Sequence, residues 1–150
     1  MTTFNRTDST NEDFIALVTL LDQDLKHRDG DEHSFYAQYN KIETIRNVII
    51  CYVEEKPIGC GAFKVYSPGK AEIKRMFVLP AYRGQGVGLN ILQQLELWAS
   101  ELKYSECVLE TGIKQPEAIT LYKKAGYSII KNYGQYKNIE NSVCMQRSIL

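Results

Sequence analysis

At 150 residues the chain is about one domain long. Its 44% hydrophobic and 24% charged residues are those of a compact fold and exclude a disordered or collagen-like chain. Eighteen basic residues balance eighteen acidic ones, so no global field draws the chain to nucleic acid or to a membrane.

Residues Thr3 to Thr7 predict an edge strand. From Asn11 the apolar residues Phe14, Ile15, Leu17, Val18, Leu21 and Leu25 recur at helical spacing. The turn chemistry of Arg28-Asp29-Gly30-Asp31 should stop that helix before it. A shorter helix is expected from about Ser34 to Lys41, with Ser34 as its N-cap. The texture then changes to β-branched runs. Asn47 to Val53 predicts one strand, Glu54 to Pro57 a turn, Ile58 to Tyr66 a second strand, and Ala71 to Leu79 a third, ended by Pro80. These three should form a meander.

After Gly88 comes an amphipathic helix carrying Ile91, Leu92, Leu95, Trp98, Ala99 and Leu102 on one stripe. Cys107 to Glu110 predicts a short strand. Pro116 suits the first turn of a further helix, which should end at Gly126. Tyr127 to Ile130 and Ser142 to Ile149 close the chain as two strands. The order β, αα, βββ, α, β, α, ββ implies an α/β (α+β) domain. Its mixed sheet would have about seven strands, with about four helices on both faces.

The opening residues lack the apolar core of a signal peptide, and the longest apolar run, Val48 to Val53, is far too short to span a bilayer. Cysteines 51, 60, 107 and 144 show no metal-binding spacing and read as buried, reduced thiols. A cytoplasmic protein without a metal is expected.

The chemistry should reside in Arg83-Gly84-Gln85-Gly86-Val87-Gly88, between a strand and the amphipathic helix. Three glycines in five residues let a backbone approach a ligand closely. The helix that follows turns unpaired N–H groups and its positive dipole end into the loop, and Arg83 adds a full charge. Phosphate or pyrophosphate is the expected guest. The loop lacks the GKS/T ending of a P-loop and the spacing of the dinucleotide fingerprint. On residues alone, a tight turn with an incidental arginine stays open.

Arg83 to Gly88 resembles the R/Q-x-x-G-x-G/A signature of the GNAT superfamily of acetyl-CoA-dependent N-acetyltransferases. The strand Ala71 to Val78 and the run Leu121-Tyr122-Lys123-Lys124-Ala125-Gly126-Tyr127 are similar to that family too. The resemblance implies a GNAT-like fold whose sheet splays in the middle, between strands ending near Val78 and Glu110. It implies that acetyl-CoA is the cosubstrate. Its pyrophosphate would sit on Arg83, Gly84, Gln85, Gly86, Val87 and Gly88, and its pantetheine arm would add like a strand along Met76, Phe77 and Val78. Gln115, Ala118 and Leu121 would line the thioester side, and Lys124, with Lys123, would either meet the 3′-phosphate or adenine region or remain a solvated face.

Three side chains are candidates for chemistry under that resemblance. Tyr122 would protonate the departing thiolate, or else pack as a half-buried aromatic. Glu72 lines up with a family base that takes the proton of an amine, or else is a surface residue paired with Lys74. Glu110 is the reserve base. Cys107 has no neighbouring base to make it a nucleophile.

Residues 1 to 45 carry four basic and nine acidic residues, and the remainder fourteen and nine. Asp22, Asp24, Asp29, Asp31 and Glu32 would attract a cationic acceptor, or else form an exposed, charged helix end. His27 and His33 read as exposed loop histidines. The activity implied is transfer of acetyl to a primary amine of a small molecule or amino acid, by direct attack in a ternary complex. The alternative is a non-catalytic acyl-CoA-binding sensor on the same fold. The partner expected is a small-molecule amine, with no nucleic acid and no membrane. A homodimer is the one assembly left open.

Overall fold

The uninterrupted apolar run Asn47–Val53 becomes strand β2, and it can be apolar throughout because both of its faces are covered. Ile49 and Cys51 point into one cluster, with Ile91, Leu92 and Leu95, while Val48 and Ile50 point into the other, with Phe14, Leu17 and Val18. The structure, a computed structural model, describes residues 1–29 and 44–150. Around β2 it places β1 (Thr2–Thr7), β3 (Lys56–Ser67), β4 (Lys70–Val78), β5 (Glu106–Gly112), β6 (Ser128–Ile130) and β7 (Ser142–Ser148). They form one seven-stranded sheet in the order β1-β2-β3-β4-β5-β7-β6.

Helix α1 (Glu12–Asp29) covers one face, and α2 (Val87–Glu101) the other. Helix α3 (Pro116–Lys124) adds Tyr122, Ala118 and Leu121 to the α2 side. Asn11 starts α1 as an N-cap, its side-chain oxygen accepting the N–H groups of Asp13 and Phe14 at 2.8 and 3.1 Å. The helix runs on through Asp29 rather than stopping before Arg28. Three α-helices lie among the described residues. The helix expected at Ser34 to Lys41 falls outside them.

The predicted strands appear in the predicted order, with shifted ends. The β2–β3 hairpin closes on Glu54 and Glu55 alone, at φ 48° and 68°, so Lys56 and Pro57 already belong to the ladder. β5 does not end at Glu110 but continues to Gly112, paired antiparallel to β7 along its whole length.

Two irregularities position the site. β4 and β5 are parallel neighbours, yet they pair only at Lys70↔Glu106, Ala71↔Cys107 and Glu72↔Val108. Beyond that point they part. Within β4, the pairing with β3 jumps from Ala62↔Lys74 to Cys60↔Phe77, so Arg75 and Met76 together face the single residue Gly61. Arg75 takes up this bulge with φ +60°, a left-handed conformation that is uncommon outside glycine. Strict alternation would send Arg75 to the α2 face with Ile73. The bulge turns it to the α1 face, where it meets Asp22.

Candidate active site

Where β4 and β5 part, two cavities meet. The larger, about 420 Å³, runs from the glycine loop to α3 and is lined by Met76, Phe77, Val78, Arg83, Gly84, Gly86, Val87, Gly88, Gln115, Ala118, Leu121, Tyr122 and Lys124. The smaller, about 110 Å³, lies between α1, β4 and β5 and contains Glu72, Lys74, Arg75, Glu110, Thr111 and Tyr136. Tyr122, Met76, Gln115 and Ala118 border both.

The larger cavity is built by the loop. Gly84 and Gly86 hold φ of +78° and +83°, and a Cβ added at either would meet nothing within 4 Å, so the backbone there is open to a ligand. Gly86 caps α2 with no side-chain hydrogen bond, leaving the first N–H groups of a fifteen-residue helix directed at that opening. This is an anion cradle. Arg83 flanks it and is held in three ways: its Nε donates to the Val78 carbonyl at 2.8 Å, its Nη2 lies 3.8 Å from Asp24, and its guanidinium stands 5.5 Å over the Phe77 ring.

The N–H of Leu79 donates to Ile58 on β3. By the alternation of the ladder, the polar backbone of Val78 and Met76 then faces the open side, toward the splay. The side chain of Phe77 packs under α1. Gln85 departs from expectation: its amide reaches back to the Ala81 carbonyl at 3.4 Å, and it borders neither cavity.

The smaller cavity is built by charge. Glu72 is 4% exposed, which excludes the surface role. One of its oxygens accepts the Tyr133 hydroxyl at 2.7 Å, and the other lies 3.9 Å from the Lys74 ammonium. Burial and the adjoining Glu72 charge raise the Tyr133 phenol well above its ordinary value. Tyr122 is 6% exposed, and burial first, then the charge of Glu110, push its phenol upward as well. It is a tyrosine that keeps its proton.

Tyr133 and Tyr136 were missed by the sequence reading, because their loop is distant in sequence and carries no recognisable motif. Arg75 was missed because a bulge has no residue signature. The acids of α1 are not simply a solvated helix end: Asp22 accepts from Arg75 at 2.9 Å, and Asp24 faces Arg83. Asp31, Glu32 and His33 lie outside the described residues, and His27 is exposed on α1. All four cysteines are buried and free, and burial pushes Cys107 up to about 12, which leaves it a poor nucleophile. Among the described residues no group of His, Cys, Asp and Glu could hold a metal ion, and no helix is long and apolar enough to cross a membrane.

The family model for the acetyltransferase (GNAT) family matches residues 11–127. The chain belongs to this family. Among GNAT relatives, the chain is 36% identical to the IAA acetyltransferase of Azospirillum brasilense over 93 residues, 61% of each protein. It is 31% identical to the uncharacterized N-acetyltransferase YjcF of Bacillus subtilis over 62% of the chain and 64% of that protein. The chain thus matches about three fifths of the length of these GNAT relatives. Among solved structures, an acyl-CoA N-acyltransferase, so named provisionally, from Klebsiella pneumoniae superposes with TM-score 0.83 at 30% identity, covering 100% of this chain and 99% of that one. The PaiA N-acetyltransferase of Thermoplasma acidophilum, solved in complex with coenzyme A, shares the GNAT fold with TM-score 0.72 at 16% identity over 99% of both chains.

Proposed function

We propose that this GNAT protein is an N-acetyltransferase that moves the acetyl group of acetyl-CoA to a primary amine of a small molecule or amino acid, by direct attack in a ternary complex. One observation carries the reading. An anion cradle and a carboxylate-lined cavity open onto each other at a buried tyrosine, so donor and acceptor have separate walls and a shared boundary.

The cradle of Gly84 to Gly88, with Arg83 and Lys124 beside it, suits the phosphates of acetyl-CoA. The open backbone of Met76 and Val78 suits the amides of its arm. An amine is mostly protonated at neutral pH, and Glu72 is placed to take one proton from it, with Glu110 on the opposite wall as the second carboxylate. The freed amine then attacks the thioester carbonyl: a C–N bond forms and the C–S bond breaks. Tyr122, protonated and at the boundary, gives its proton to the leaving sulfur, and the second amine proton restores the phenol. Amide and free thiol leave, and Glu72 returns its proton to water. The reading places the enzyme in the cytoplasm, in keeping with four reduced cysteines.

Calorimetry with acetyl-CoA, followed by thiol release over an amine panel, tests it. Micromolar binding with turnover of at least one amine is expected. Binding without turnover of any amine would leave a coenzyme-binding module instead.

A further inference from the structure

The side chain of Arg75 is 3% exposed, and only half of its fork is used. Its Nη1 donates to Asp22 at 2.9 Å, while its Nη2, also buried, has no hydrogen-bond partner among the described residues. Buried donors in native proteins are almost always satisfied, so one left over on a charged group calls for an explanation. A second feature marks the same residue. Its backbone is held left-handed at φ +60°, and this is what carries the side chain out of the α2 core and onto the wall of the smaller cavity. Strain of this kind persists where the surrounding structure enforces it, characteristically at functional positions.

We propose that the acceptor carries a carboxylate as well as its amine, and that the Arg75 guanidinium reads it. The proposal rests on the acetyltransferase reading and names the class of its substrate. A guanidinium presents a planar fork that matches a carboxylate, and Asp22 fixes that fork from α1. The cavity offers both signs of charge, with Glu72 and Glu110 for an ammonium and Arg75 for an acid group. Lys74 is placed against Glu72. A zwitterion of amino-acid type fits this arrangement: its amine lies among the carboxylates that must deprotonate it, and its acid group completes Arg75. The volume of about 110 Å³ suits a small acceptor. The cationic acceptor suggested by the acidic first third of the sequence is replaced by one bearing both charges.

Paired acceptors differing only in the carboxyl group test this: α-amino acids beside their amides and their decarboxylated amines, over a panel of side chains, with the full chain. For the best side chain the acid should exceed its partners in kcat/KM by about tenfold or more, the scale of a charge-assisted hydrogen bond pair. Arg75→Gln should bring that ratio to about one, and Arg75→Lys should leave it intermediate. Asp22→Asn, which removes the charge but leaves an oxygen to accept from Arg75, should keep the preference. If Arg75 were merely structural, Arg75→Gln and Asp22→Asn would behave alike and neither would move the ratio.

Equal turnover of acids and decarboxylated amines by the wild type overturns the proposal and leaves the acetyltransferase reading standing. If no amine turns over, that reading falls, and calorimetry on the coenzyme A-loaded protein decides the carboxylate site. Acids binding tighter than their amides, with the difference lost in Arg75→Gln, supports the site; equal binding overturns it.

Discussion

Tyr122 borders both cavities, and its surroundings hold its phenolic proton in place. Burial disfavours the phenolate, and Glu110 adds a negative charge against it. In the proposed reaction it would therefore enter each cycle protonated, and general acid assistance of this kind is typically worth about 10²–10⁴-fold. Tyr122→Phe keeps the ring contact with Tyr127 and removes the proton. We expect kcat to fall at least about tenfold with acetyl-CoA affinity unchanged by calorimetry; an unchanged kcat, with chemistry rate-limiting, would make the residue a packing element. Tyr122 was legible in the sequence because the run Leu121 to Tyr127 resembles a family element on a helix that Pro116 starts. Tyr133, whose hydroxyl meets Glu72 across sixty-one positions, was not. Nor was Arg75, whose direction depends on one backbone angle rather than on any residue preference.

At the scale of elements, the sequence specifies interiors better than ends. The apolar stripe of α2 and the β-branched runs of β2 to β4 dictate which faces are buried. Where each strand stops depends on hairpin geometry, as at Glu54–Glu55, and on cross-strand partners, as where β7 carries β5 past Glu110 to Gly112. The β4 bulge shows this dependence most clearly. Gly61 lies opposite it, and a Cβ there would stand 2.5 Å from the Met76 sulfur and within 2.9 Å of Leu95 and Ile91. Gly61→Ala should destabilise the fold by about 1–3 kcal/mol, the usual cost of overpacking, read as a lower urea midpoint at unchanged slope. The glycine loop behaves oppositely, since it has space to spare. Gly86→Glu should cost about 1 kcal/mol of stability, from its left-handed backbone. It should also abolish acetyl-CoA binding through a carboxylate placed in the cradle. Retained affinity would move the pyrophosphate elsewhere.

For the whole molecule, the neutral net charge conceals an acidic first third and a basic remainder, and the fold brings the two together at Asp22–Arg75 and Asp24–Arg83. The sequence showed the imbalance but not this pairing, which requires α1 to lie across β4. The buried thiols contribute to the alkaline limit. Burial pushes Cys60 and Cys107 up to about 12 and Cys144 up to about 11, from an ordinary value of 9.0. An unfolded chain releases these protons above about pH 9, while the folded one keeps them, so stability present below pH 9 is lost as pH rises toward 11 to 12. Urea midpoints should fall steadily over that window, and a thiol reagent at neutral pH should find no reactive cysteine until the chain unfolds. The splay has a consequence of another kind. Only three ladder pairs join β1–β4 to β5–β7 along the parallel seam. The sheet is thus two halves with an unfinished suture, which the coenzyme arm, in the proposed function, would complete. Coenzyme binding should therefore slow amide hydrogen exchange along Met76 to Val78 far more than at β1 or β6, so that the cosubstrate acts as a strut as well as a reactant.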